Sequence, residues 1–215
     1  VMSRTFNITA DCKPSLHYMV DITERLEQIK KMIDAGQYFT INRARQYGKT
    51  TTLRALAKYL VQDYVVVSLD FQLMSHKDFA EEGAFVKAFS EAVLRKVSGE
   101  DAMPAQIRRE LQELIGDSQQ AALSRLFEIL SIWCRISKKP IVLVIDEVDS
   151  ASNNQVFLDF LSQLRGYYID RDVTPAFQSV ILAGVYDIKN IKSKIRSDED
   201  HKNNSPWNIA AKFRV

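Results

Sequence analysis

One segment decides the fold that we expect for this chain, Tyr38-Phe-Thr-Ile-Asn-Arg-Ala-Arg-Gln-Tyr-Gly-Lys-Thr-Thr-Thr-Leu53. The segment starts as a short apolar run, passes through polar residues and leads into a helix-favouring sequence at 53–60. Its triplet Gly48-Lys49-Thr50 ends the phosphate-binding pattern G-x-x-x-x-G-K-[ST], although Arg43 stands where that pattern has its first glycine. The strand before the triplet and the helix after it predict a phosphate-binding loop. The alternative is a surface turn that carries a lysine.

Each residue type in this loop suits a phosphate. A glycine lets the backbone approach an oxyanion, and successive N–H groups at a helix N-terminus supply positive potential. We expect Lys49 to contact the β- and γ-phosphates and Thr50 to give its hydroxyl to Mg²⁺. Gln46 and Tyr47 would add backbone N–H groups. Arg45, like the arginine at 43, either touches phosphate or holds the loop through carboxylates.

A second motif, Ile141-Val-Leu-Val-Ile-Asp146-Glu147, is an apolar run that ends in two carboxylates. In a parallel sheet both acids would lie at the carboxyl edge, where ligands bind. Asp146 is then expected to bind Mg²⁺, and Glu147 to polarise the attacking water. A lone motif of this kind could be a solvated acidic turn. Its pairing with Gly48-Lys49-Thr50, also at a strand end, favours a nucleotide site.

Composition restricts the classes of function. The chain has 215 residues, 46% of them hydrophobic, and a net charge of +2, so it is not a polyelectrolyte that must seek nucleic acid or an acidic membrane. Cys12 and Cys134 are far apart and lack metal-ligand spacing, which favours reduced cysteines in a cytoplasmic protein. Apolar runs are too short for a membrane-spanning helix or a signal peptide.

Strand-like and helix-like segments alternate along the chain, which predicts an α/β protein with a mainly parallel sheet flanked by helices. Strands are expected at 38–41, 65–71, 141–145 and 179–186, with a fifth starting near 206. Helical stripes are expected between them, with capping boxes at Asp21/Glu24 and at Ser152/Gln155, and with Tyr168 among the buried residues of the last one. A short basic helix is expected at 187–197.

These segments resemble the additional-strand class of P-loop NTPases, and more closely the bacterial AAA-like ATPases, relatives of the STAND and Orc-like ATPases. Loops of that family often read Arg-x-Arg/Gln-x-Gly-Lys-Thr, so the arginine at 43 is typical of it. Ile181-Leu-Ala-Gly-Val-Tyr-Asp187 and Asn204-Ser-Pro-Trp-Asn-Ile-Ala210 also match, and the resemblance covers roughly residues 15–213. It implies a three-layer fold in which the Asp146 strand meets other strands before the phosphate-loop strand.

The resemblance also assigns residues. Gly48, Lys49, Thr50 and Thr51 match phosphate and magnesium positions, and Asp146 and Glu147 match the acidic pair. Tyr186 and Asp187 fall where such proteins keep a sensor residue, usually Asn, Ser or Thr. Arg165 and Arg171 fall where relatives keep an arginine finger, or else they are solvated cations at a helix end. His17 and Tyr18 either pack on the adenine or have no ligand role.

Family members usually continue into a helical lid and further regions. We therefore expect 1–215 to be a single ATPase core domain and a fragment of a longer protein. The cofactors implied are ATP or ADP and Mg²⁺, and no Asn-Lys-x-Asp motif for reading guanine follows the acidic strand.

The favoured hypothesis is an ATPase that drives or gates a conformational change, with a homo-oligomer or a protein partner and no membrane. The alternatives are a nucleotide-binding switch with little turnover and a nucleic-acid-associated module. The last would use the basic cluster Lys189, Lys192, Lys194 and Arg196, which otherwise is the solvated face of an amphipathic helix.

Overall fold

The computed structural model describes residues 22–42, 49–117, 119, 121–184 and 211–213. The helices are α1 (Thr23–Asp34), α2 (Lys49–Leu60), α3 (Glu82–Lys96), α4 (Ala105–Gly116), α5 (Leu123–Ile136) and α6 (Gln155–Ile169). The strands are β1 (Phe39–Asn42), β2 (Val65–Asp70), β3 (Ile141–Asp146), β4 (Ser179–Gly184) and β5 (Ala211–Phe213). Short 3₁₀ turns follow β2, at Phe71–Leu73 and His76–Phe79, and β3, at Val148–Ser150.

The strands form one sheet in the order β2-β3-β4-β1-β5, and each pair of neighbours is parallel. Strand β4 therefore separates β3, which ends in Asp146, from β1, which leads into the phosphate-loop segment. This arrangement confirms the expected sheet, including the strand inserted between the two motif-bearing strands.

Helices cover both faces of the sheet. In β3 every residue is buried, because Leu143 and Ile145 pack on one side while Val142 and Val144 pack on the other. The first side carries α3, α4, α5 and α6, and includes a cluster of phenylalanines around Phe85 and Phe160, whose ring centroids lie 5.3 Å apart. The second side carries α1 and α2. A continuous apolar run such as β3 fits a strand covered on both faces, and the three-layer α/β fold is confirmed.

Most helical stripes lie where the spacing predicts them, and the start of β1 and the ends of β2 and β3 differ from the expected ones by one residue. The capping box at Ser152/Gln155 was wrong. Helix α6 begins at Gln155 with Asn154 as its N-cap, and the Ser152 hydroxyl donates instead to the carbonyl of Asp149 at 2.8 Å. The 3₁₀ turn after β3 delays the start of the helix. Tyr168 is half-buried and its ring lies 4.3 Å from that of Tyr38.

Several predicted features lie outside the described residues. They are Asp21 of the first capping box, Cys12, the basic helix at 187–197 and the start of the fifth strand near 206. Cys134 is a free, partly buried thiol, and burial raises its pKa to about 12. None of the described helices is both long and apolar enough to span a membrane.

Candidate nucleotide site

The carboxyl ends of four neighbouring strands bring polar residues to one edge of the sheet. Asp70, the last residue of β2, is in register with Asp146, the last residue of β3. At the ends of β1 and β4, Asn42 is likewise in register with Gly184. Helix α2 begins at Lys49, a few residues after β1 ends, so its N-terminus belongs to the same edge. Open parallel sheets bind ligands at this edge.

Lys49 joins the two predicted motifs directly. Its Nζ lies 3.0 Å from Oδ1 of Asp146 and 2.7 Å from Oε1 of Glu147. The Lys49 side chain is only 8% exposed, so water screens these two contacts poorly. One ammonium group thus bridges both carboxylates of the acidic pair, although the residues are about a hundred positions apart in sequence.

Burial and ion pairing shift the pKa of Lys49 in opposite directions. Burial is the largest single effect and lowers the pKa of the ammonium group, but hydrogen bonds and charge interactions with Glu147 and Asp146 outweigh it. The net result is a raised pKa, so Lys49 is a full positive charge at neutral pH.

Thr50 completes a cluster of oxygen atoms beside that charge. Its hydroxyl donates to Oδ2 of Asp146 at 3.3 Å, and Asp146 itself is buried. A hydroxyl and a carboxylate are hard oxygen ligands, which is the donor chemistry that Mg²⁺ prefers, usually with one or two carboxylates and with substrate phosphates. These residues therefore fit Mg²⁺. No group of three or more His, Cys, Asp or Glu side chains suited to a metal occurs within the described ranges. Thr51, on the same turn of α2, is half-buried.

Glu147 has an unusual backbone. Its φ is 55° and its ψ is 40°, the left-handed region that non-glycine residues rarely adopt. No other non-glycine residue in the described part of the chain has a positive φ. Its N–H donates to Oδ1 of Asp146 at 2.8 Å, which fixes the sharp turn after β3. Strain of this kind costs roughly 1–3 kcal/mol and concentrates at functional sites.

Sequence reasoning missed three residues at this edge. Asp70 ends an apolar strand just as Asp146 does, so the same strand-end rule would have found it. Asp149 lies so close to Gly184 that a Cβ there would be 2.7 Å from its Oδ2. Asn42 has a buried Oδ1 with no hydrogen-bond partner in the described structure. No pattern in the sequence predicts that Asp149 or Asn42 lies at this edge.

The two arginine-finger candidates do not contact this edge in the described structure. Arg171 donates from Nη1 to the carbonyl of Gly36 at 2.6 Å and lies over the Tyr168 ring at 4.2 Å, so it joins α6 to the end of α1. Arg165 is half-buried, and its Nε has no hydrogen-bond partner among the described atoms.

The remaining predicted residues lie outside the described ranges. They are Arg43, Arg45, Gln46, Tyr47 and Gly48 of the loop, His17, Tyr18, Tyr186, Asp187 and the basic cluster at 188–196. Of the predicted site, the described structure therefore brings together Lys49, Thr50, Asp146 and Glu147.

Comparisons with known proteins agree with this fold. The model of a family described as the AAA-like domain matches residues 13–214. Among solved structures, the Walker-type ATPase PABY2304 of Pyrococcus abyssi is similar over 96% of this chain, with a TM-score of 0.61 and 15% sequence identity. This chain spans 55% of that structure's length. A search of curated proteins found no match.

Proposed function

The chain belongs to the AAA-like domain family, which has a P-loop ATPase fold, and from this premise we propose that it binds ATP with Mg²⁺ and hydrolyses the β–γ bond. The observation that carries the proposal is the contact of Lys49 Nζ with both Asp146 and Glu147, at 3.0 and 2.7 Å. An ammonium group and two carboxylates at the carboxyl edge of a parallel sheet are the groups that phosphoryl transfer requires.

In this proposal the phosphates of ATP compete with the two carboxylates for Lys49. A triphosphate carries more negative charge than either acid, and the ammonium group would neutralise charge on the β- and γ-oxygens. The N-terminus of α2, which starts at Lys49, adds N–H groups aimed at the same ligand. Residues 45–48 are proposed to supply further backbone and side-chain contacts.

Thr50 and Asp146 are proposed to hold Mg²⁺. The ion supplies charge neutralisation and orientation of the phosphate oxygens when it is bound. Asp146 also anchors the turn by accepting the N–H of Glu147, so one carboxylate serves the metal and the position of its neighbour.

Glu147 is proposed to orient the attacking water and accept its proton. Its side chain is 25% exposed, so solvent reaches the carboxylate. As ATP draws Lys49 toward phosphate, Glu147 would lose its ion pair and become free to act as a base. The left-handed backbone of Glu147 lies directly after β3, and its carboxylate contacts Lys49.

A second candidate is a nucleotide-binding switch with little turnover. The 2.7 Å contact between Lys49 and Glu147 favours it, because a base paired with an ammonium group is a poor proton acceptor. In either case we propose that binding of ATP or ADP controls the conformation of the protein, which would act in the cytoplasm, alone or as an oligomer.

Phosphate release at saturating ATP and Mg²⁺ tests both candidates. Glu147→Gln is expected to lower turnover by about 100-fold or more, because it removes the base, and to keep nucleotide binding, because Lys49, Thr50 and Asp146 are unchanged. The matched control is Glu113→Gln, the same change on an exposed position of α4. Equal rates for wild type and Glu147→Gln would remove Glu147 from this role. Wild-type turnover at background level together with tight binding would favour the switch.

A further inference from the structure

Within the described residues, one edge of the sheet has no neighbouring strand. Strand β2 is the last strand in the described sheet order, and its only described neighbour is β3. The N–H of Val65 donates to the carbonyl of Pro140 at 3.0 Å, so Val65 faces β3. Backbone groups alternate along a strand, and those of Val66 and Ser68 therefore point away from β3. An edge of this kind is a template for another strand.

A groove of about 670 Å³ opens beside the start of this edge. Val61 and Tyr64 line it from the turn between α2 and β2, Val66 lines it from β2, and Val97 lines it from the end of α3. Val61 is 55% exposed although it is apolar. The groove lies where β2 begins, whereas the nucleotide edge lies where β2 ends at Asp70. The two sites therefore occupy opposite ends of the same strand.

Lysines surround this groove. The four that line it are Lys58, Lys96, Lys138 and Lys139, and all four are exposed. The single acidic residue in the lining, Asp101, is already paired with Lys138 at 2.6 Å. Lys139 donates to the carbonyl of Val61 at 3.1 Å. An apolar floor with a positive rim selects a ligand that combines apolar and acidic groups.

We propose that this groove docks an extended acidic peptide segment of a partner protein, which adds to β2 as a further strand. The main chain of the peptide would pair with Val66 and Ser68, its apolar side chains would cover the floor, and its carboxylates would meet the lysines.

A designed peptide tests the proposal without assuming the natural partner. The probe is a fluorescein-labelled octapeptide of alternating valine and glutamate, and the control alternates valine and lysine. Fluorescence anisotropy is expected to show that the glutamate peptide binds at least about tenfold more tightly at low salt, since like charges repel the lysine peptide. Equal affinity for the two peptides would overturn the proposal, and so would no binding of the glutamate peptide.

Strand pairing is tested on the peptide, so that the fold of the protein is untouched. Two further peptides carry N-methyl groups on one or the other alternating set of residues. Only one set can donate to β2, so one methylated peptide is expected to lose binding and the other to keep it. If both methylated peptides bind as the parent does, no strand is added. Amide exchange of Val66 and Ser68 is expected to slow on binding.

Charge is tested on the protein. The double substitution Lys58→Glu/Lys96→Glu is expected to lower the affinity for the glutamate peptide by about tenfold or more. The matched control, Lys31→Glu/Lys77→Glu, changes the net charge equally at exposed positions away from the groove. An equal loss in both variants would mean a general field effect and would contradict the proposal. So would a twelve-nucleotide thymidine strand that displaces the peptide and binds the groove more tightly, which would make the surface a nucleic-acid site.

Discussion

Lys49 is the residue on which the proposed nucleotide site depends, because its charge is buried and has two carboxylate partners. Removing a buried cation leaves two neighbouring acids without compensation, which destabilises a protein more than the loss of a surface ion pair does. A stability measurement can therefore test this contact before any nucleotide is added.

The stability that Lys49 contributes is expected to disappear at alkaline pH. Pairing with Glu147 and Asp146 raises the pKa of the folded state above the ordinary lysine value of about 10.4. A raised pKa means that the stabilisation is complete below the unfolded-state pKa and is lost as pH rises through the folded-state pKa. Urea unfolding from pH 8 to 12 should give Lys49→Met a lower free energy of unfolding than wild type. This difference in free energy should disappear as pH rises above about 10.4.

Lys77→Met is the control for that series, because Lys77 is exposed on a 3₁₀ turn away from the site. If the difference in free energy of unfolding between wild type and Lys49→Met stays constant across the whole pH range, the charge of Lys49 does not stabilise the fold.

A side chain at Gly184 is expected to clash with the Asp149 carboxylate. An added Cβ would lie 2.7 Å from Oδ2 and 3.1 Å from Cγ of Asp149, so the carboxylate would have to move. Gly184→Ala should lower the free energy of unfolding by about 1 kcal/mol or more, an overpacking cost. In an Asp149→Ala background the same change should cost much less. Equal costs in the two backgrounds would show that the contact is not the cause.

Among the elements, α6 follows the acidic pair and carries a glycine inside its helix. A Cβ at Gly166 would meet nothing within 4 Å, and the residue is exposed. Glycine inside a helix costs roughly 0.5–1 kcal/mol relative to alanine. Gly166→Ala is therefore expected to stabilise the chain by about that amount, as measured by urea unfolding. Destabilisation would mean that this face of α6 packs against something that a methyl group displaces.

Gly36→Ala is the contrasting change at the end of α1. Its φ is +65°, and a Cβ there would lie 3.4 Å from Nη1 of Arg171. Alanine is strained in this conformation, so we expect a loss of roughly 1 kcal/mol. The opposite signs of the two glycine substitutions would show that backbone conformation, and not glycine content, decides their effect.

Elements with strong periodicity were predictable from the sequence. The run at 141–145 and the stripe of α5 need only the periods of a strand and a helix, and both are observed. The start of α6 was missed because the 3₁₀ turn at Val148–Ser150 depends on the left-handed Glu147. Glutamate has no preference for the left-handed conformation, so the conformation of Glu147 could not be predicted from the sequence.

For the whole molecule, family resemblance implied that the Asp146 strand is separated from the phosphate-loop strand, and this separation is confirmed; the structure shows that β4 is the strand between them. The meeting of Lys49 with the acidic pair followed from placing both motifs at one sheet edge. The lysine-rimmed groove was not predictable, because its four lysines come from α2, α3 and the turn before β3. Only the assembled sheet brings those segments together.

The central claim is that Lys49 and the acidic pair form one site for a nucleoside triphosphate. The most direct test is isothermal titration calorimetry of the 215-residue chain with a non-hydrolysable ATP analogue and Mg²⁺. We predict one molecule bound per chain, at least about tenfold weaker binding to Lys49→Ala, and unchanged binding to Lys77→Ala, since a buried ammonium–phosphate contact is worth more than about 1.4 kcal/mol. The absence of binding to wild type, or equal affinity for wild type and Lys49→Ala, would contradict the account.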